Sequence, residues 1–587
     1  MNSYFKISLI TLLLMVSCRM LCQTNVSGVL NSNTVWTKTN SPYNIVGNVG
    51  VNTNANLTIE PGVRINYTGD YEILVYGSLT INGQENDPIK FYGTSQGGAG
   101  TKKMLEFRRT NLSNSLIKYA HFNGPQDVLL VSRESEHDQE TIKVSGVLTF
   151  EDCNFYNSTI QTDGYNSQGK LLIRNSTLAQ VLVKGRYPRS ELIELSNCNI
   201  DNSTIFSDSY NKGIKIVDSY INNTSFLIGC CGANFDVSYC KILRSNFVSD
   251  NDYHEIKISN SILFNTLFEE NERSWYESQK LNLSNSIFIT DQSEAIKYQD
   301  VTLSNSSFIG CEIATAIESS SSLNISNCNF KDWQLALRIN NGNCRITGSN
   351  FLNNNNLIEV LDNKNIDAGS NYWGGVAIND KIKDQNDDLN WGLVKLDPIL
   401  QNLSTSAHIL SPRNLILIDN GSDYTLKWDK LDGLDYKLYF NKIDELSYSE
   451  SIVIGAVNEY NLSIEQANDF ALTASNSQAD GMDDQLQGYE SWFACSYELS
   501  EATSVTNFNS TLNPISVYPN PTHGILYVEN IDQDLVTYEL RNVNGKLIQR
   551  SAINELNQID ISHYEKGLYF LRIEAKDRNC IFKVIKE

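Results

Sequence analysis

Ile193-Glu194-Leu195-Ser196-Asn197-Cys198-Asn199-Ile200 is one copy of a phrase that returns about every 21 or 22 residues. Other copies read Leu148-Thr149-Phe150-Glu151-Asp152-Cys153-Asn154-Phe155, Ile256-Lys257-Ile258-Ser259-Asn260-Ser261-Ile262-Leu263 and Leu323-Asn324-Ile325-Ser326-Asn327-Cys328-Asn329-Phe330. Aligned on the sixth residue, the copies are anchored at Cys153, Ser176, Cys198, Ser219, Cys240, Ser261, Ser286, Ser306, Cys328 and Ser349. Five and three residues before the anchor, and two after it, every copy carries an apolar residue. Apolar residues two apart in a short β-rich phrase mark a strand with one buried face. A fixed period of this length is the signature of a solenoid, in which each coil stacks on the last with parallel strands about 4.8 Å apart. An all-β fold follows, built on a parallel β-solenoid.

The period extends upstream, where Leu57 and Leu79 are 22 residues apart. Trp36, Ser41-Pro42-Tyr43, Leu57-Thr58-Ile59-Glu60-Pro61-Gly62-Val63 and Ile73-Leu74-Val75-Tyr76-Gly77-Ser78-Leu79-Thr80 read as opening coils. Asn371-Tyr372-Trp373-Gly374 and the segment to Leu396-Asp397-Pro398 read as a closing cap. Together these stretches resemble the right-handed parallel β-helix of pectin-lyase-like proteins, and the expected domain runs over residues 23–400.

Residues 1–22 have a polar start with Lys6, an apolar run from Ile7 to Val16 and then Ser17-Cys18-Arg19-Met20-Leu21-Cys22, which is the pattern of a secretory signal peptide with cleavage before Gln23. No other run reaches membrane-spanning length. The formal net charge of −22 argues against nucleic acid or an anionic membrane surface as partner. Of twelve cysteines, Cys18 and Cys22 fall in the leader. Cys153, Cys198, Cys240 and Cys328 share the anchor column with the nearest two coils apart, about 9.6 Å, which exceeds disulfide reach. They are expected to be buried as small apolar residues. Cys230-Cys231 is a vicinal pair in a loop, with no metal-ligand spacing near it.

The column before the anchor holds Asn175, Asn197, Asn260, Asn285, Asn305 and Asn327, with Asp152 and Asp218 as variants. Asn tolerates the left-handed turn and can hydrogen-bond between coils, so a structural ladder is expected. Four before the anchor, Glu194, Lys215, Asp236 and Lys257 alternate in sign as a cross-strand charge ladder. No in-register carboxylate pair offers the two facing groups that glycoside hydrolysis requires. Two places could still carry chemistry. Lys184, Arg186 and Arg189 form a basic loop on an acidic protein, suited to a lyase base or an acidic sugar. Trp275 and Tyr276, in a coil widened by an insertion, could stack on a sugar.

Between residues 405 and 505, short alternating strands around Trp428, Asp435-Tyr436-Lys437-Leu438, Phe470-Ala471-Leu472-Thr473-Ala474 and Ser491-Trp492-Phe493 resemble a fibronectin type III or immunoglobulin-like β-sandwich. Within it, Asn476, Asp480, Asp483 and Asp484 place oxygen ligands around Gly481 in the manner of a calcium loop, although Gln478 and Gln487 stand where carboxylates belong. Calcium is the one cofactor this suggests, against the default of a polar loop and no cofactor.

The chain ends with Tyr518-Pro519-Asn520-Pro521, Gly524, the Asn544-Gly545 hairpin and Gly567-Leu568-Tyr569. These phrases, over residues 513–587, resemble the type A C-terminal sorting domain of type IX secretion cargo. The resemblance implies a small β-sandwich read by the outer-membrane translocon and removed in the linker near Asn507 to Asn513. It also implies a product secreted or held at the surface of a Gram-negative bacterium. Two functional classes remain: a non-catalytic, adhesin-like protein that binds a glycan or surface, and a polysaccharide lyase or glycoside hydrolase of the pectin-lyase-like fold.

Overall fold

The computed structural model describes residues 23–93, 104–108, 110–124, 129–131, 145–163, 168–186, 193–207, 213–229, 234–249, 254–270, 279–290, 294–310, 314–340, 343–374, 378–444, 446–482, 484–495, 516–518, 522–529, 537–542, 547–553, 558–575 and 578–586. Residues 24–383 form a parallel β-solenoid of about 13 turns. One coil shows the plan, with strands Ile193–Ser196, Asn199–Asp201 and Thr204–Ser207. Each pairs in parallel with its equivalent one coil on: Ile193 with Ile214, Ile200 with Ile221, Ile205 with Phe226. The thirty apolar positions read from the repeat all point inward, and none is more than 6% exposed.

The sequence phrase covers the first two strands of a coil and the corner between them. That corner is the residue before the anchor, with φ between 46° and 55° in Asp152, Asn175, Asn197, Asp218, Tyr239, Asn260, Asn285, Asn305 and Asn327. Asn side chains climb from coil to coil there in places, as Asn197 Nδ2 donates to Asn175 Oδ1 (2.9 Å) and Asn327 Nδ2 to Asn305 Oδ1 (3.1 Å). A second corner of the same handedness lies four residues after the anchor, at Asn157, Gln180, Asn202, Asn223, Arg244, Asn265, Asp332 and Asn353. Left-handed backbone costs a residue other than Gly, Asn or Asp roughly 1–2 kcal/mol. Tyr239, Gln180 and Arg244 adopt it all the same, so coil stacking, and not the residue alone, imposes the turn.

The anchor column is polar in function. The Cys153, Cys198, Cys240 and Cys328 amides donate to the hydroxyls of Ser176, Ser219, Ser261 and Ser349 in the next coil, at 3.0–3.1 Å. The Cys198 and Cys240 sulfurs in turn lie 3.4 and 3.7 Å from the carbonyls of Ile173 and Ile216 in the preceding coil. Each thiol also lies 3.2–3.4 Å from the carbonyl two residues before it, where the serines donate their O–H. The cysteines are buried and unpaired, as expected, but they serve as weak serines and not only as apolar filler. Burial raises their thiols, Cys198 to about 11 and Cys153, Cys240 and Cys328 to about 12.

At the end of the solenoid Phe308, Phe330 and Phe351 stack at 4.9 and 5.0 Å, and Trp373 closes the row 4.3 Å from Phe351. Asn371, fully buried, accepts the Ser349 N–H through Oδ1 (2.9 Å) and donates to the carbonyls of Ile346 and Ala368. The chain then doubles back over the outer side of the second strands. Leu400 donates to the Asn371 carbonyl, Ser404 to Asn350 Oδ1 (2.7 Å), and Asn329 Nδ2 donates to the His408 carbonyl (3.0 Å). The contacts at Asn371, Asn350 and Asn329 descend one coil at a time.

Beyond this strap two antiparallel sheets share a core of Leu415, Leu426, Trp428, Tyr436, Leu438, Phe470 and Leu472. One holds Ile416–Asp419, Tyr424–Lys427 and Glu459–Leu462; the other Ser447–Gly455, Asp435–Asp444, Phe470–Ser475 and Ala494–Cys495. The C-terminal unit repeats this plan in smaller form. Ser516–Tyr518, Ile525–Glu529 and Gln558–Asp560 make one sheet; Leu547–Ala552, Thr537–Asn542, Gly567–Ala575 and Arg578–Lys586 make the other, around Leu526, Val528, Leu540, Ile559 and Leu571.

Candidate functional site: a polar groove on the opening coils and a C-terminal unit

In the opening coils the corner between the third strand of one coil and the first strand of the next is short. Leu30 leads to Thr34 through Asn31-Ser32-Asn33, Val51 to Asn56 through Asn52-Thr53-Asn54-Ala55, and Val75 to Ser78 through Tyr76-Gly77. One coil later the connection lengthens and includes the 3-10 turn Leu112–Asn114, capped by Asn111, whose Oδ1 accepts the Ser113 N–H (3.0 Å). Three short corners and one long one line a groove of about 320 Å³. Asn33 lines it from the first coil, Thr53, Asn54, Ala55 and Asn56 from the second, Tyr76, Gly77 and Ser78 from the third, and Thr110, Asn111 and Asn114 from the fourth.

Close packing of backbone makes the floor. A Cβ on Gly77 would lie 2.1 Å from the Ala55 carbonyl oxygen and 2.3 Å from that of Asn52, so no larger residue fits there without pushing the corner outward. The Tyr76 and Gly77 amides both donate to the Val51 carbonyl, Ser78 N–H donates to Ala55 O (3.1 Å), and the buried Thr110 hydroxyl donates to Gly77 O (2.6 Å). Asn33 Oδ1 accepts the Asn56 N–H (2.9 Å), and Asn56 Oδ1 accepts the Ser78 hydroxyl (2.8 Å). Above this fixed floor, the exposed side chains of Thr53, Asn54 and Asn114 make no hydrogen bond within the described residues. The lining thus holds amides, hydroxyls and one half-buried phenol, with no acid, base or thiol. It can bind; it has no group to move a proton at neutral pH.

The residues singled out from sequence fall elsewhere. Lys184, near the end of strand Thr177–Arg186, sets its ammonium 4.8 Å from the centre of the Phe206 ring one coil on, a cation–π contact. Arg186 ends the same strand, in register with Asp163, and its side chain, like Arg189, Trp275 and Tyr276, lies outside the described residues. Cys230 and Cys231 lie outside them as well. The charge column is in register as read, Glu194 beside Lys215 and Lys215 beside Asp236. Glu194 also pairs with Lys170 (3.0 Å); burial opposes its ionisation, but the Lys170 ammonium and then Lys215 hold its carboxyl below the usual range.

In the proposed calcium loop both carboxylate oxygens of buried Asp484 accept backbone amides, Oδ1 that of Asp480 (2.9 Å) and Oδ2 that of Gly481 (2.7 Å). Asp480 Oδ1 accepts the Met482 N–H and Asn476 Oδ1 the Gln478 N–H, each at 2.9 Å. These oxygens close turns on their own backbone. Asp483 lies outside the described residues, among which no cluster of three or more His, Cys, Asp or Glu side chains is gathered for a metal.

The C-terminal phrases have concrete structural work. Tyr518 pairs with Tyr527 across the first sheet, while Pro519, Asn520, Pro521 and Gly545 lie outside the described residues. Gly524 has φ 146°, and a Cβ there would lie 2.7 Å from Ser562 Cα; its carbonyl accepts the Ile561 N–H (2.7 Å). Gly567 opens a strand whose first partner is Lys586. Leu568 and Tyr569 are buried, and the Tyr569 hydroxyl donates to Glu565 O (2.8 Å). The ammonium of buried Lys586 donates to the carbonyls of Ser562 (3.0 Å) and Tyr564, and the Thr522 N–H donates to Ile585 O (2.8 Å). The last residues of the chain are therefore stitched into the unit.

Residues 516–587 match the family described as secretion system C-terminal sorting domain. No curated protein matches the chain. Cargo of this type IX route is secreted or displayed at the cell surface, and the machinery that sorts it recognises this tail. Among the described residues no helix is long and apolar enough to cross a membrane.

Proposed function

We propose that the exported chain is a non-catalytic glycan-binding protein of the cell surface, its solenoid carrying the ligand and its tail directing export. In this reading residues 1–22 are the leader, residues 405–505 a fibronectin-type spacer, and residues 513–587 the sorting unit. The observation that carries it is the groove on the opening coils. A lining of amides and hydroxyls, each able to donate and accept, matches the paired hydroxyls of a sugar and offers little to an apolar ligand. Half-buried Tyr76 adds an aromatic ring to the lining. Among the described residues no observation favours the lyase or hydrolase alternative: of its candidates only the Lys184 side chain is described, and its ammonium lies against the Phe206 ring.

The test is a screen of the purified mature chain on immobilised glycans, with product assays for unsaturated ends and for reducing ends run alongside. Saturable binding without product is the expected result. Cleavage of any polysaccharide would replace the binding reading with an enzymatic one.

A further inference from the structure

The geometry of the same groove points to a neutral, linear polysaccharide, laid parallel to the solenoid axis across the first four coils, as its ligand. This rests on the glycan-binding reading above and specifies the class of glycan. Direction comes from the coils that line it. Asn33, Asn54, Tyr76 and Asn114 stand on four successive coils, so the groove runs across the strands, and three coil steps span about 14 Å. A chain of sugar rings running this way meets an equivalent corner at each step. A ligand lying along a single coil would leave three of the four lining coils unused.

Charge decides the class. None of the eleven lining residues is Lys, Arg, Asp or Glu. The nearest cation, Arg108 at the Tyr76 side chain, is already neutralised by buried Glu106, so a uronate or sulfate placed there would give up water for little counter-charge, on a protein whose formal net charge is −22. A neutral sugar hydroxyl loses nothing of the kind. It finds donors and acceptors that the fold has left unused, in the Asn54 and Asn114 amides and the Thr53 hydroxyl, while the inner Asn33, Asn56 and Ser78 are fixed by one another. A neutral ligand can therefore bond to these amides without breaking a bond inside the protein, over a floor that its own hydrogen bonds hold in place.

The experiment is calorimetric titration of the mature chain with three probes, cello-oligosaccharide, manno-oligosaccharide and polygalacturonate, in wild type and in the double variant Asn54→Ala, Asn114→Ala. Because neither amide bonds within the protein, the variant should melt like wild type, which makes it a clean probe. Binding of at least one neutral probe, weakened tenfold or more in the variant, is the expected result, since two hydrogen bonds of ordinary net worth are lost. Neutral binding that the variant leaves unchanged would overturn the groove as its site while sparing the glycan-binding reading. Preference for polygalacturonate would overturn the neutral class. Binding of none of these probes, nor of any sugar on the array, would overturn both. Capture of extended peptides from a library in place of glycans would do the same.

Discussion

The inter-coil hydrogen bond at the anchor column is open to a direct test at Ser219. Its hydroxyl, almost fully buried, accepts the Cys198 N–H at 3.1 Å and donates to the Val217 carbonyl at 2.8 Å. Ser219→Ala removes both bonds, but the losses are unequal. The Val217 carbonyl still accepts the Asn197 N–H at 3.0 Å, so it stays satisfied. The Cys198 amide is left buried with no acceptor. One orphaned buried donor costs about 1–3 kcal/mol, so a loss near 2 kcal/mol is expected. Ser219→Cys should cost less than half as much, because a thiol keeps a weak donor and acceptor at a position where Cys198 and Cys240 already serve in the same column. Coils of a solenoid open locally, so the amide itself should be followed by native-state hydrogen exchange, with a urea melt beside it. A loss of 2 kcal/mol corresponds to roughly thirtyfold faster exchange of the Cys198 amide. Exchange unchanged in Ser219→Ala, with the same urea midpoint, would refute the claim that these side chains tie coil to coil.

Three further outcomes are expected. His408, buried where the strap meets Gly488 and with no partner on Nε2, is lowered by desolvation to about 4. Below pH 6.5 the unfolded chain takes up a proton that the folded chain refuses until about 4, so the site's contribution is complete above 6.5 and is lost as pH falls towards 4, by up to about 3 kcal/mol. Urea midpoints at pH 7.5 and 5 should therefore separate more in wild type than in His408→Phe; equal separations would count against it. Ile258→Asp places a carboxylate in the closed apolar interior at a cost of several kcal/mol, and should abolish soluble expression or raise that carboxyl far above its usual range. Asn371→Ala removes an acceptor for Ser349 N–H and the amide donor shared by the carbonyls of Ile346, Ala368 and Gly369 at the last coil, costing about 3 kcal/mol and loosening the cap, as limited proteolysis near residues 371–400 would report.

The repeat, its period and its inward columns were legible because a strand alternates and a solenoid reuses one pattern in every coil. Cys153 through Ser349 could be aligned by eye, and so could the phrase from Tyr518 to Tyr569 that marks the tail. The third strand of each coil was not legible in the same way. Its inward residues, Ile205, Phe226, Phe247 and Phe268, sit after a second corner whose residue varies from Asn202 to Arg244, so no single letter marks it. The groove was missed for a related reason. Its asparagines at 31–33, 52–56 and 111–114 look like the turn asparagines of the ladder, and the two uses share one composition.

Sequence alone thus determined that the chain coils, where its apolar faces point and which tail exports it, since these depend on local alternation and on short contiguous phrases. Tertiary structure decided which asparagines are bonded within the fold and which keep their amides exposed and unbonded among the described residues. It also showed that buried cysteines set their thiols against carbonyls of the preceding coil, and that the strap after the cap returns over Asn350 and Asn329. Each of these depends on what lies one coil away, about 4.8 Å in space but some 21 residues along the chain.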